Sequence, residues 1–451
     1  MQSGTAASDR MPETQTIDID VLVIGGGPAG STAATCLARH GRSVLLLEKD
    51  RHPRFHIGES LLPANMPILE RLGVLEAVRQ IGVLKLGADF PVTGRDNRNI
   101  FRFDRALGTT PGYAFQVKRE EFDELLFRHA AAAGVDAREN VRVTAIDFLD
   151  SGVTAEAVDE AGRELVINAR YVVDATGRDA FLGKRLALRR KHPRHQSAAL
   201  FAHFRGVERR PGDDAGNISI YVHEHGWAWM IPLRDGLFSV GIVADPDLFR
   251  TRRESPTDFM LRVLQGVPEA AARIRGAEMV GNQHASGNYS YLCDRLSGPR
   301  WMMAGDAGAF VDPIFSTGVF LAMRSAERIA AVVDSVLRDP AGERSLQRAY
   351  EREAWDGLRA LSWFILRFTT PAMRWLFANP RNNLKLEQAV ISMLAGDVFD
   401  NPAVRRRLAL FRLLYYAVAL RLLPATFSDW RRRRRRVAAV FTGGTTSQDP
   451  A

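Results

Sequence analysis

The stretch IDIDVLVIGGGPAGSTAATCLARHGRSVLLLEKD, from Ile17 to Asp50, decides the fold of this chain. Its apolar run Val21–Ile24 predicts a buried parallel strand. Gly25, Gly27 and Gly30 follow in the pattern G-x-G-x-x-G. The first glycine permits a tight turn, the second leaves room for a ligand against the backbone, and the third lets the next helix pack closely on the strand.

A helix is predicted from about Pro28 to His40, so that its N-terminal amides point toward the glycine turn and can bind phosphates. Ser43–Leu47 predicts a second strand, and Glu48 follows it. A carboxylate at the end of the second strand, about 20 residues after the glycines, can hold ribose hydroxyls. This order of elements predicts a dinucleotide site, and up to this point it does not separate NAD from FAD.

The chain has 451 residues, of which 46% are hydrophobic and 25% charged, which is typical of a globular protein large enough for two or more domains. Its two cysteines, Cys36 and Cys293, make a disulfide framework improbable and favour a cytoplasmic location. The ten histidines show no metal-binding pattern, so we expect no metal. We also expect a polar, disordered tail over residues 1–16 that is not a signal peptide. No run of about 18 uncharged apolar residues occurs, so we expect no transmembrane helix.

The net charge of +9 is concentrated near the C-terminus. Between Ala403 and Arg436 lie eleven arginines and one acid, Asp429, so this segment carries 11 − 1 = +10 and the remainder 9 − 10 = −1. A neutral body argues against nucleic-acid binding by the whole protein. Ala403–Leu423 alternates arginine with apolar residues, and either an anionic membrane surface or an acidic partner would suit it. A packed helix with a solvated basic tail is the alternative.

Two features of the middle of the chain have both structural and functional interpretations. Lys85 stands inside the apolar run Gly82–Phe90, which reads as one strand. Burial would lower its pKa and make the amine a better nucleophile or hydrogen-bond donor, whereas the alternative is a lysine snorkelling from a strand edge. Trp227 and Trp229 are two residues apart and therefore lie on one face of a strand, as a cavity wall or as ordinary core. Antiparallel strands are predicted around them, and their bounds are 198–206, 218–223, 227–232 and 238–243.

Three polar positions could contact a ligand. Arg51, in the loop after Glu48, either meets a phosphate or lies in solvent. Asp306, at a strand end followed by small residues, suits a sugar or ribityl chain. Ser316-Thr317-Gly318 precedes a predicted helix that runs from about Val319 to Leu337, so its amides form either an anion site or a plain N-cap turn.

Taken together, these motifs resemble the FAD-dependent halogenases, within the flavin monooxygenases that have a glutathione-reductase-like FAD fold. The resemblance covers roughly Ile17–Leu337 and is loose beyond about residue 340. The matching motifs are the fingerprint glycines with Glu48, the second flavin motif Gly305-Asp306-Ala307, the loop Gly58–Pro63, the W-x-W-x-I-P signature Trp227–Pro232, and Lys85 in K-x-G-x-x-F. The second flavin motif implies FAD and not NAD, and the last two motifs favour the functional interpretations of Lys85 and the tryptophans.

The resemblance implies a fold and a chemistry. We expect an α/β protein with a Rossmann-type FAD-binding domain, an antiparallel substrate-side sheet and a C-terminal helical region. Reduced flavin and O2 would oxidise chloride or bromide to hypohalous acid, which would reach the catalytic Lys85 and then an electron-rich aromatic carbon. Since only one G-x-G-x-x-G is present, reduced flavin is expected from a separate NAD(P)H-dependent reductase.

The same resemblance assigns site residues and domain bounds. FAD is assigned to Gly25, Gly27, Pro28, Ala29, Gly30, Glu48, Lys49, Arg51, Ser60, Gln116, Arg119, Asp306, Gly318 and Val319. The halide is assigned to Ser316, Thr317 and Gly318, and the tunnel or substrate wall to Trp227, Trp229, Pro232 and Phe315. The expected FAD-binding domain comprises 17–90, 113–190 and 281–338, the substrate-side sheet 91–112 and 191–280, the helical region 339–436, and a second disordered tail 437–451.

One departure bears on the substrate. Tryptophan halogenases carry a glutamate directly before Ser-Thr-Gly, where this chain has Phe315. A phenol or pyrrole activates its own ring and can dispense with that carboxylate, so the resemblance implies the phenolic or pyrrolic branch, whose substrates are often tethered to a carrier protein. The alternatives are a flavin hydroxylase or a reductase of the geranylgeranyl type, which share the FAD motifs but are not expected to need Lys85.

Overall fold

The computed structural model describes residues 15–92, 98–192, 197–287 and 290–423. The strands are β1 Gln15–Ile24, β2 Val44–Leu47, β3 Gly82–Lys85, β4 Gly87–Pro91, β5 Arg98–Arg102, β6 Ala114–Val117, β7 Asp136–Arg138, β8 Val141–Phe148, β9 Val153–Asp159, β10 Glu164–Asp174, β11 Arg189–Lys191, β12 Ala198–Arg205, β13 Ile218–His223, β14 Gly226–Pro232, β15 Leu237–Ala244, β16 Glu278–Ser286, β17 Tyr291–Cys293, β18 Ser297–Gly298, β19 Trp301–Met303 and β20 Ala309–Phe310. The α-helices are α1 Pro28–Arg39, α2 Met66–Leu72, α3 Leu75–Ile81, α4 Arg119–Ala132, α5 Phe181–Arg185, α6 Pro246–Arg250, α7 Pro256–Gln265, α8 Pro268–Arg273, α9 Gly318–Arg338, α10 Glu343–Ile365, α11 Pro371–Ala378, α12 Leu386–Leu394 and α13 Pro402–Arg421.

The first sheet confirms the predicted Rossmann-type architecture. Its central strands run in the order β19-β10-β1-β2-β7, and each neighbouring pair is parallel. Helices α1 and α9 pack on one face of it, through residues such as Ala33, Leu37, Ile329 and Val333. Parallel neighbours of β1 place the carboxyl ends of β1, β10 and β19 together, beside the glycine turn.

The second sheet confirms the predicted antiparallel block. Its order is β16-β12-β15-β14-β13-β4-β5, with antiparallel pairs except between β13 and β4. One face of β14, with Trp227, Trp229 and Ile231, packs toward the C-terminal helices α10 to α13, while Ala228 and Met230 pack on the opposite face. The C-terminal helical region therefore covers the inner face of this sheet, as helices cover sheets in layered folds.

The segment predicted as one strand over Gly82–Phe90 is two strands in two different sheets. β3 pairs with β6 in a small two-stranded sheet, and β4 joins the second sheet. Leu86 separates them, and Gly87 then approaches β5 so closely that a Cβ there would lie 2.7 Å from the carbonyl oxygen of Phe101. A period-two pattern cannot reveal such a change of partner.

Several expected boundaries fall inside elements or outside the described residues. The boundaries drawn after residues 90 and 280 cut β4 and β16, and Gln15 and Thr16, expected in the N-terminal tail, begin β1. Residues 1–14, the second tail 437–451 and the run Arg431–Arg436 lie outside the described residues. Within the described ranges, no helix is both long and apolar enough to cross a membrane. The same part of the chain shows no cluster of three His, Cys, Asp or Glu placed to hold a metal ion.

Candidate active site

A single continuous cavity of about 960 Å³ runs from the glycine turn to the second sheet. At one end its wall is formed by the ends of the parallel strands and by the first turn of α9. At the other end it is formed by Phe201, Trp227 and Trp229 with α10 residues such as Leu361 and Ile365. The cavity therefore joins the predicted cofactor site to the predicted aromatic wall.

Most of the predicted FAD residues face this cavity. The wall includes Gly25, Gly27, Pro28, Ala29, Glu48, Lys49, Ser60, Arg119, Asp306, Gly318 and Val319. Three of the predicted residues lie elsewhere: Gly30 is behind the turn, Gln116 is buried with its amide donating to the Gly216 carbonyl at 3.0 Å, and Arg51 is exposed.

The glycine turn fits a dinucleotide in each of its three roles. Gly25 has φ +103°, in the left-handed region, and a Cβ there would lie 2.5 Å from the carbonyl oxygen of Ala175. A Cβ on Gly30 would lie 1.8 Å from the carbonyl oxygen of Gly25, so only glycine lets α1 sit this close. Gly27 is open, since its Cβ would meet only a guanidinium nitrogen of Arg54 at 3.7 Å. The turn thus leaves free backbone at the start of a helix, where a pyrophosphate binds.

Glu48 lies at the end of β2 with its carboxylate already engaged. Its Oε2 accepts hydrogen bonds from the Gly26 amide at 2.7 Å and from Arg54 at 3.0 Å, and its Oε1 accepts from the Asp50 amide at 3.0 Å. A carboxylate oxygen has two lone pairs, so Oε1 retains capacity for a ribose hydroxyl. Lys49 beside it forms an ion pair with Asp179.

Arg54, which sequence reasoning did not assign, lines the cavity together with the assigned Arg119. Arg54 lines the cavity, pairs with Glu48 and also reaches Asp123 at 3.3 Å, whereas Arg51 is exposed. Asp123 in turn holds the buried Arg119 through two hydrogen bonds, of 2.7 and 2.9 Å. The sequence shows that Arg54 follows Glu48 closely. It does not show in which direction the side chain of an arginine in a loop points.

Asp306 stands beyond the end of β19, in the second flavin motif. It lines the cavity, and burial raises the pKa of its carboxyl to about 7, against the opposing charges of Arg178 and Arg119. A carboxyl of this kind accepts or donates a hydrogen bond near neutral pH and therefore suits the hydroxyls of a ribityl chain.

The predicted halide turn lies at the start of a long helix. Ser316 has φ +57°, Thr317 is buried, and Gly318 begins the 21-residue helix α9; all three residues line the cavity. The first amides of a helix have no partners within it and carry the positive end of its dipole, so this turn can accept a small anion. Phe315 points elsewhere: it is buried and packs edge-on against Phe368 at 5.5 Å, in the core under the C-terminal helices.

The paired tryptophans form a fixed wall. Trp227 and Trp229 both line the cavity with ring centroids 5.5 Å apart, and the indole nitrogen of Trp229 donates to Ser239 at 3.1 Å. Gly241 on β15 provides the space for the second ring, because a Cβ there would lie 2.3 Å from it. Pro232 is also buried on β14 but, by strand alternation, belongs to the opposite face.

Lys85 is buried at the end of β3, with 1% of its surface exposed, which excludes the snorkelling interpretation. Its Nζ donates to the Ser60 hydroxyl and to the Leu61 carbonyl, both at 2.9 Å, and lies 5.2 Å from the centre of the Phe103 ring. Ser60 lines the cavity and Lys85 does not, so the amine is hydrogen-bonded to a residue of the cavity wall. Burial lowers the pKa of Lys85 to about 7.

Burial of this amine should make stability depend on pH. The folded pKa of about 7 lies below the ordinary 10.5, so below pH 10.5 the unfolded chain binds the proton more firmly than the folded protein does. The resulting penalty is fully present below pH 7, at on the order of 5 kcal/mol, and is lost as the pH rises toward 10.5. We therefore expect Lys85→Met to raise the free energy of unfolding at pH 7, by the penalty removed minus the contribution of the two lost hydrogen bonds. At pH 9 the penalty is smaller, so the increase should be smaller. Urea unfolding at the two pH values measures this, and an equal gain at both would contradict it.

Next to Ser60 lies an ion pair that sequence reasoning did not find. Glu59 is buried in the cavity wall, and its Oε1 is 2.7 Å from Nε2 of His203 on β12. Its Oε2 has no hydrogen-bond partner among the described residues. Burial lowers the pKa of His203, but the hydrogen bond and charge of Glu59 outweigh burial and raise it overall. No sequence pattern indicates that Glu59 and His203, which are far apart along the chain, are in contact.

Glu59→Gln should lower the pKa of His203. The amide keeps the size of the side chain but removes the negative charge that offsets burial. Titration of the histidine ring nitrogens by NMR measures the change, with the titrations of the remaining histidines as internal controls. An unchanged His203 titration in the variant would show that Glu59 does not control this imidazole.

Comparison with known proteins identifies the family of this chain. The family model described as FAD binding domain matches residues 18–362, well over half of the chain. The tryptophan 2-halogenase of Chondromyces crocatus is 35% identical over 338 residues, which is 74% of this chain and 64% of that protein. The 1H-pyrrole-2-carbonyl-[peptidyl-carrier protein] brominase of Pseudoalteromonas luteoviolacea is 32% identical over 391 residues, or 84% of this chain and 92% of that protein.

A solved structure extends the similarity to the whole fold. The structure of the flavin-dependent brominase Bmp2 is 30% identical and superposes with a TM-score of 0.79, covering 90% of this chain and 100% of the other. The glycine turn, the cavity and these relatives agree on an FAD-binding flavoprotein. The chain is an oxidoreductase and belongs to the FAD-dependent halogenase family.

Proposed function

We propose that this enzyme uses reduced FAD, O2 and chloride or bromide to halogenate an electron-rich aromatic ring, with Lys85 as the catalytic residue. The observation that carries this proposal is the position of Lys85. A buried amine with a pKa of about 7 is hydrogen-bonded to Ser60, in the wall of a cavity that has a dinucleotide turn at one end and two tryptophans at the other. A flavoprotein that only oxidised or reduced its substrate would not need such an amine.

Residues at different positions along the cavity have different roles in the proposed reaction. When bound, reduced FAD would reduce O2, and the oxygen would at the same time oxidise the halide, giving hypohalous acid and water. The helix turn at Thr317 and Gly318 holds the halide near the cofactor. Trp227 and Trp229 keep the aromatic substrate away from the flavin itself. Lys85 receives the hypohalous acid once the Ser60 hydroxyl turns away from Nζ, and the amine then orients it as a donor or forms a haloamine with it.

The proposed substrate is a phenol or a pyrrole, free or carried on an acyl or peptidyl carrier protein. The pyrrole brominase supports this class, because the substrate in its name is a carrier-bound pyrrole. So does Phe315, which is apolar and directed into the core where tryptophan halogenases have a glutamate. The similarity to a tryptophan 2-halogenase favours indole as the competing class.

The proposal extends to partners and location. A separate NAD(P)H-dependent reductase would supply reduced flavin, since the sequence holds one dinucleotide fingerprint. The Arg-rich C-terminal region would meet an acidic carrier or an anionic membrane, and the protein would work in the cytoplasm or peripherally on its membrane.

Product analysis tests the proposed function. The purified protein, a flavin reductase, FAD and NADH are incubated with chloride or bromide and with candidate phenols, pyrroles and indoles, both free and carrier-bound. Mass spectrometry should show the isotope pattern of one added halogen, most abundantly on a phenol or pyrrole. Hydroxylated products alone would refute halogenation, and preferential halogenation of indole would refute the substrate class. Prompt reduction of FAD by NADH without the reductase would refute the need for that partner.

A further inference from the structure

Helix α13 is apolar on two opposite faces. Its inner face packs into the core through Val404, Leu408, Phe411 and Tyr415. A surface helix normally carries polar residues on its other face. Here, of the twelve exposed large apolar side chains among the described residues, six lie on α13 or just beyond it. They are Leu410, Leu413, Leu414, Tyr416, Leu420 and Leu423.

Three of these residues, together with the exposed Ala417, form one stripe along the helix. Leu410, Leu413, Ala417 and Leu420 recur at intervals of three and four residues, which places them on one side of an α-helix over about 15 Å. Leu413 and Leu420 are 67% and 69% exposed. A contiguous apolar surface of this kind marks an interaction site.

The charges around the stripe indicate what covers it. The helix Pro402–Arg421 contains five arginines and no acidic residue, and Arg405, Arg406 and Arg421 are exposed at its two ends. The sequence beyond it adds Arg431–Arg436 against two acids, Asp429 and Asp449. An apolar stripe flanked by arginine is the composition of a helix lying in the interface of an anionic bilayer.

Aromatic residues with polar tips border the same region. The indole nitrogen of Trp363 on α10 donates to the hydroxyl of Tyr416 at 3.3 Å, and Arg367 lies over the Trp363 ring at 4.8 Å. Tryptophan and tyrosine are enriched at the level of lipid headgroups, because one end of each side chain is apolar and the other binds water or phosphate.

We infer that the outer face of α13 docks this protein onto an anionic membrane surface. Lipid supplies both kinds of partner at once, acyl chains for the leucines and phosphate for the arginines. A second copy of the chain would place arginines against arginines, because a two-fold contact joins the same face twice. Residues 424–451, folded back on the stripe, would likewise bring the arginine run toward Arg405 and Arg421. The inference goes beyond the chemistry of the cavity and does not depend on it.

Co-sedimentation of the full chain with lipid vesicles tests the inference. The vesicles are phosphatidylcholine alone, or phosphatidylcholine with about one third phosphatidylglycerol. We expect binding to the anionic vesicles only, weakened by raising the salt concentration, and at least tenfold weaker for the double variant Leu413→Ser/Leu420→Ser. The matched control is Leu149→Ser/Met279→Ser, two exposed apolar residues (53% and 38%) elsewhere on the protein, and it should bind like the wild type.

Other outcomes overturn the membrane assignment. As a control, both double variants should unfold at the same temperature as the wild type, which would show that the substitutions leave the fold intact. If no vesicle binds the wild type, or if the control loses binding as much as the α13 variant, the assignment is wrong. If gel filtration shows a dimer that the α13 variant abolishes, the stripe joins two copies instead. Retention on an immobilised acidic carrier protein, lost in the α13 variant and without vesicle binding, would identify a protein partner.

Discussion

Lys85→Met should lower the rate of halogenation by about 100- to 10,000-fold, the range expected when a positioned acid–base or donor group is removed. Methionine fills the same buried space, so the effect is chemical and not a result of a cavity. The variant would lack the amine that holds the hypohalous acid or receives its halogen, whereas Trp227 and Trp229 would be unchanged. The rate of halogenated product formation, measured by mass spectrometry with a reductase present, gives the loss.

Flavin binding and flavin oxidation should be unchanged in the same variant. Lys85 does not itself line the cavity and is hydrogen-bonded to Ser60 of its wall, so removal of its amine should leave the cofactor wall intact. NADH and O2 would still be consumed, and hypohalous acid would leak into solution, where a chlorination-sensitive dye detects it. The matched control is Lys118→Met, which removes a lysine that pairs with Glu121 and Asp235 at the surface, and it should halogenate normally. Product formation at the wild-type rate by Lys85→Met would remove Lys85 from the mechanism.

Local sequence patterns predicted the parts of the site that depend on neighbours along the chain. The glycine turn, α1 and β2 lie within one or two residues of the predicted bounds, because strand, turn and helix are all specified locally. The same holds for β14, where alternation alone puts Trp227 and Trp229 on one face. The resemblance to halogenases added the identity of the cofactor, which spacing could not supply.

Contacts between distant segments were not predictable in this way. Glu59 meets His203, and Arg54 meets Asp123, only because the loop after β2 is folded against β12 and α4. The end of β3 is a further case, since the strand pattern continues through Leu86 while the hydrogen-bond partner changes. Phe315 illustrates the same limit: its position in the sequence is beside the halide turn, yet its ring packs on Phe368. The direction of a side chain depends on the elements packed around it, and a local sequence pattern does not specify those elements.

Gly30→Ala should remove flavin from the protein, because the methyl group has no room. A Cβ at this position would lie 1.8 Å from the carbonyl oxygen of Gly25 and 3.3 Å from the Ala175 side chain, so α1 must move away from β1. Such overpacking destabilises a fold by about 1–3 kcal/mol. The shift also takes the first amides of α1 away from the pyrophosphate. Losing two charge-assisted hydrogen bonds, at about 1.5–3 kcal/mol each, would weaken FAD binding by about 100-fold or more.

Gly27→Ala is the informative comparison, because it separates packing from cofactor contact. A Cβ on Gly27 meets only Arg54, at 3.7 Å, so thermal stability of the apo protein should stay close to that of the wild type while FAD binding falls. Gly287→Ala, at a glycine with open space around it, should change neither quantity. Flavin absorbance per protein and the apo-protein unfolding temperature together distinguish the three variants. Full flavin content in Gly30→Ala would mean that α1 can shift without moving its amides from the phosphates, and the assigned role of this turn would then be wrong.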